Sequence, residues 1–111
     1  MKITTATIAG LTFALMGSQA IAADADTGKS KYDSVCAACH GAKGEGTDVY
    51  PELKGMSQDE IAEVLALYKE GDKGALEEKG LAGDDYAQMA PNAAALSEED
   101  IKNLGAYIES L

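Results

Sequence analysis

The residues best suited to chemistry lie together at Cys36-Ala37-Ala38-Cys39-His40. C-x-x-C-H is the spacing for covalent attachment of haem. Two cysteines three positions apart present both thiols on one side of a helical turn. From there they reach the two vinyl groups on one porphyrin edge and form thioethers. The next residue, His40, is then carried under the iron, where its imidazole can be the proximal ligand. A covalent tether also suits a chain too small to enclose a haem completely. Three other chemistries fit the motif less well. A closed zinc site takes four ligands, usually Cys and His, and the chain holds only two Cys and one His. A thioredoxin-like redox pair sits near a βαβ pattern, which is absent here. A structural disulfide would leave His40 without a purpose.

A sixth iron ligand must come from elsewhere, and with a single histidine in the chain it is not a second imidazole. Beyond the N-terminal segment the methionines are Met56 and Met89. Met56 opens a capped helix sixteen positions after His40 and reads as core packing. Met89 lies in Gln88-Met89-Ala90-Pro91-Asn92, read as an irregular loop before the last helix. The long intervening segment lets the chain wrap to the other face of the ring, and Pro91 stiffens the backbone that presents the sulfur. Met89 is therefore the expected sixth ligand, so that His40 and Met89 are the iron ligands.

Three helical stretches position these groups. The first spans about Gly28 to Cys39, capped by Thr27, with Tyr32, Val35 and Cys39 on one stripe. Gly41, Gly44 and Gly46 then break the chain into a loop. The second starts at the capping-box pattern Ser57-Gln58-Asp59-Glu60 and stops near Gly71. The third starts at Ser97-Glu98-Glu99-Asp100 and carries the stripe Ile101, Leu104, Tyr107, Ile108 and Leu111. Between Asp72 and Leu96 the pattern is weaker, with a short helix around Ala75 to Lys79 and a turn around Asp84 to Gln88. No strand alternation occurs, so the domain reads as all-α.

Residues 1–22 read as a cleaved signal peptide rather than as an uncleaved anchor. Lys2 gives a positive start, Ile8 to Met16 is mostly apolar, and Ala20-Ile21-Ala22 is an A-x-A cleavage pattern. The apolar run is roughly half of the ~20 residues needed to span a bilayer. Residues 23–111 then form one exported, periplasmic domain. The whole chain has 19 Asp and Glu against 9 basic residues, for a net charge of −10, and it has no arginine. Only Lys2 is lost with the leader, so the exported part is one unit more negative. That balance argues against nucleic acid, whose phosphates must be neutralised by Lys and Arg. It argues equally against an anionic lipid surface, and it favours steering toward a partner with a basic face.

These features together resemble the class I cytochromes c, close to the small single-haem bacterial periplasmic type. The resemblance rests on Gly28 and Tyr32 ahead of Cys-Ala-Ala-Cys-His-Gly, on Tyr-Pro-Glu-Leu-Lys-Gly at Tyr50 to Gly55, and on Leu65 to Gly71. Met-Ala-Pro at Met89 to Pro91 and the last helix from Leu96 complete it. It implies N- and C-terminal helices that cross, Gly28 and Tyr32 lying against Leu104 and Tyr107, with three to five helices around one haem c. It implies that the Pro51 carbonyl accepts the Nδ1 hydrogen of His40, and that Met89 is the axial methionine. The implied function is outer-sphere transfer of single electrons between respiratory redox proteins, by a monomer that is not an enzyme and does not insert in a membrane. The alternative is a small-molecule-binding or peroxidatic haem protein with a labile sixth ligand. The chain departs from the family in having Met56 where glutamine is frequent, and in lacking the arginine often found after Gly71.

Overall fold

A computed structural model describes residues 22–83 and 85–111. The signal-peptide reading of residues 1–22 therefore falls almost wholly outside the described residues. Among those residues the chain forms six helices and no strand: α1 (Ala25–Val35), α2 (Ala37–His40), α3 (Gln58–Glu70), α4 (Lys73–Glu78), α5 (Tyr86–Ala94) and α6 (Glu98–Glu109). The all-α class expected from the sequence holds, with six helices in place of three to five because the first stretch is divided at Cys36 and the weakly patterned segment forms both α4 and α5.

The first expected helix starts earlier and is divided. Its cap is Asp24, not Thr27. The Asp24 carboxylate accepts the backbone N–H groups of Asp26 at 3.0 Å and Thr27 at 3.4 Å, and the Thr27 hydroxyl donates to it at 2.7 Å. A carboxylate at this end satisfies orphan donors and complements the helix dipole. The helix ends at Val35. Cys36, at φ −100° and ψ −38°, then turns the chain into the single turn of α2, which closes at Gly41.

The other two long helices start where capping chemistry places them. Ser57 accepts the Glu60 N–H at 3.2 Å. Ser97 and Asp100 exchange a full capping box, each side chain accepting the other's backbone N–H at 3.0 Å. Helix α3 ends on Gly71, whose φ of +72° places it in the left-handed region that a side chain would strain.

Helix α6 packs against both α1 and α3, and α3 carries α5 and α4. The α1–α6 contact is close because of Gly28. A Cβ there would overlap the Asn103 carbonyl and come to 3.0 Å from Tyr107 Cβ. The partner backbone is thus Asn103, one residue before the expected Leu104, while Tyr107 is as expected. Tyr32 lies beside it, fully buried, its ring 5.2 Å from that of Tyr107. The buried Asn103 side chain accepts the Asp24 N–H at 2.8 Å, which ties the start of α1 to α6. Tyr32, Cys36, Ile61, Leu65, Leu96, Ile101, Leu104 and Ile108 form the main core. Tyr68, Leu76 and Ala93 form a smaller one, and Met89 packs against both.

Candidate haem site

Around the junction of α1 and α2, Val35, Cys36, Cys39 and His40 line a cavity of about 250 Å³. No disulfide joins the two cysteines, of which Cys36 is buried and Cys39 half-buried. Burial foremost, and then the neighbouring Cys39, pushes the Cys36 thiol up to about 11. A dithiol redox centre needs the opposite, a thiolate stabilised by its surroundings. Among the described residues no cluster of three His, Cys, Asp or Glu could hold a metal ion, which disfavours a zinc centre.

His40 ends α2, and its Nδ1 lies 3.0 Å from the Pro51 carbonyl oxygen. A carbonyl only accepts, so the hydrogen sits on Nδ1 and the lone pair is left on Nε2, the tautomer a metal ligand requires. The loop that supplies this carbonyl is tightly closed. The Gly46 N–H donates to the His40 carbonyl at 2.8 Å, and the Thr47 N–H to the Tyr50 carbonyl at 2.9 Å. The Thr47 hydroxyl accepts from the Val49 and Tyr50 N–H groups at 3.2 and 3.0 Å. Gly46 permits this fold-back: its φ is +71°, and a Cβ would stand 2.8 Å from the Tyr50 oxygen and the Pro51 carbonyl carbon.

Another wall comes from α3 and α5. Ile61, Val64, Leu65 and Tyr68 contribute from α3, Gln88 and Met89 from α5, and Leu96 from the turn after it. Here the structure corrects the sequence reading. Met89 and Pro91 do not sit in an irregular loop; both lie within α5. Pro91 costs the helix one donor, but the chain around it stays helical, with Ala93 fully buried against α3 and the Asn92 side chain donating to the Gln88 carbonyl at 2.9 Å. Met56 lines the same cavity and also borders an outer groove with Glu60, Glu63 and Lys79.

Every residue expected at the site, Cys36, Cys39, His40, Pro51 and Met89, therefore faces one cavity, and the apolar side chains of Val35, Leu53, Leu65 and Leu96 face it too. Tyr50 and Gln88 were not expected there. The Tyr50 hydroxyl donates to Gln88 Oε1 at 2.7 Å, and its ring lies 6.2 Å from the imidazole. Their 38-residue separation leaves no periodic signal; the only hint is an aromatic residue beside Pro51.

The donor set fits a haem. Two thiols occupy one helical edge, an imidazole keeps Nε2 free, and a thioether lines a cavity that is otherwise largely apolar. A family model described as Cytochrome c matches residues 25–111, which include all six helices. The chain belongs to the cytochrome c family. As a cytochrome c it is an electron carrier and not an enzyme, and its family implies covalently bound haem with iron. It is 47% identical over 90 residues to cytochrome c-554(547) of Halothiobacillus neapolitanus, covering 81% of this chain and 99% of that relative. It is 36% identical to cytochrome c-554(548) of Halomonas halodenitrificans, covering 80% of this chain and 98% of that one. It is 37% identical to cytochrome c6 of a Picosynechococcus species, covering 83% and 77%. Among the described residues, no helix of this cytochrome is long and apolar enough to cross a membrane.

Proposed function

We propose that this cytochrome shuttles single electrons between respiratory redox proteins in the periplasm. One haem c is bound through Cys36 and Cys39, with His40 and Met89 as the axial ligands. The observation that carries the reading is the His40 Nδ1–Pro51 carbonyl bond beside a cavity that also holds both thiols and the Met89 side chain. The bond fixes ring orientation and raises the basicity of the ligating nitrogen. Haem iron supplies the one-electron Fe(III)/Fe(II) couple, and a thioether opposite histidine raises its potential. The residues around it hold the ligands and exclude water: Ile61, Leu65, Leu96 and Ile108 are all buried and all face the cavity.

Residues 1–22 are removed on export, and residues 23–111 form the electron-carrying domain, a monomer. The net charge of −10 and the absence of arginine support docking to donor and acceptor proteins that present basic faces.

The ligand assignment is tested with Met89→Ala and Met56→Ala, each purified with its haem. Met89→Ala loses the weak methionine–iron absorption at the red end of the ferric spectrum and lowers the reduction potential, while Met56→Ala keeps both. The reverse result assigns the ligand to Met56 and overturns the proposal.

A further inference from the structure

We propose that Tyr50 and Gln88 are a positioning pair, a latch that joins the loop orienting His40 to the helix carrying Met89 and so restrains departure of the sixth ligand. The inference rests on the assignment of Met89 as that ligand. Tyr50 immediately precedes Pro51, whose carbonyl holds His40, and Gln88 immediately precedes Met89. The hydroxyl-to-amide bond of 2.7 Å thus links the two ligand-bearing segments at their adjoining residues. Both side chains line the cavity.

The need for such a latch follows from how α5 is held. Its apolar packing runs mostly toward the α3–α4 cluster: Tyr86, Ala90 and Ala93 lie there, the Tyr86 ring stacks on Tyr68 at 5.9 Å, and Met89 alone also reaches the main core. Pro91, two residues beyond Met89, removes one intrahelical bond from the same helix. Among the described residues the Tyr50–Gln88 bond is the one hydrogen bond between residues 41–56 and α5. The loop end of the bond is rigid, because Tyr50 is fixed through both its N–H and its carbonyl to Thr47. Strain on α5 is therefore transmitted to a closed turn and not to a free side chain.

The experiment measures imidazole binding to the ferric holo-protein by stopped flow, at concentrations where the rate is limited by departure of the protein's own sixth ligand. The bond is a single exposed, neutral one, so Tyr50→Phe and Gln88→Leu should each raise the limiting rate only modestly, about two- to fivefold. The double variant should rise no further than either single one, because both remove the same bond. Unchanged rates in the singles, or effects that multiply in the double, overturn the latch. A rise in Tyr50→Phe alone also overturns it, since the hydroxyl would then act on something other than Gln88. Met89→Ala in the same series separates the two levels of the argument. If it keeps the saturating rate of the wild type, the ligand assignment itself fails. If it abolishes saturation while the latch variants stay silent, only the latch fails.

Discussion

Gly28→Ala tests the packing on which the whole site is hung. The substitution adds one methyl group at the place where α1 meets α6. That methyl would overlap the Asn103 carbonyl, a backbone atom that cannot rotate away, and would press on Tyr107 Cβ at 3.0 Å. The helices must separate, loosening Tyr32 and Leu104, both fully buried at the same contact. Overpacking of this kind costs roughly 1–3 kcal/mol, and a backbone obstacle puts it at the upper end. Alanine returns at most ~1 kcal/mol through its better helix propensity. The net is a loss of about 2 kcal/mol, which for a domain of this size lowers Tm by roughly 8–16 °C. Gly74→Ala is the matched control, since the nearest atom to its new Cβ is Asp72 Oδ1 at 3.8 Å. It should be neutral or stabilise by up to ~1 kcal/mol. Thermal unfolding of the ferric holo-proteins, followed by far-ultraviolet circular dichroism, reads both. A Gly28→Ala protein as stable as the wild type would refute the close-approach argument.

Two pH effects follow from individual groups. Burial, more than any neighbouring charge, pushes the Tyr32 phenol up to about 12, and its hydroxyl donates to the Gly41 carbonyl at 2.6 Å. The neutral form is favoured by folding, so this contribution is complete below the unfolded value of about 10 and is lost as pH rises through 12. Tyr32→Phe should flatten that alkaline decline in urea-unfolding midpoints while lowering stability by roughly 1–2 kcal/mol at neutral pH. The Ser97 N–H holds the Asp100 carboxyl below the usual carboxylate range. Its contribution is present above the unfolded value near 4 and fades as pH falls through the depressed folded one. Asp100→Asn should reduce the acid slope of the same midpoints, and an unaltered slope would remove the capping box from the account.

What could be read from the sequence was what depends on neighbours in the chain. The haem motif, the Ser57 and Ser97 caps and the Gly71 stop are each complete within a few residues, and the caps and the stop appear where expected. The cap of α1 misled because Asp24 and Thr27 are both capping residues; tertiary contact decides, with Asn103 fixing the Asp24 N–H. The division at Cys36 was not legible, because the residue keeps right-handed helical angles and the apolar stripe runs through it. Pro91 points to a loop, since proline removes a donor and disfavours helix at the residue before it. Burial of Ala93 and the packing of Met89 and Ala90 against α3 outweigh that single lost bond. The Tyr50–Gln88 contact joins a loop to a helix 38 residues away and leaves no pattern in either segment.

The proposed haem is held between His40 and Met89 with no open position, and carbon monoxide probes that closure. The native ferrous protein at neutral pH should show the same absorption spectrum with and without carbon monoxide, and Met89→Ala should bind the gas readily. Rapid binding by the native protein would contradict a closed electron carrier and favour a ligand-binding or peroxidatic haem.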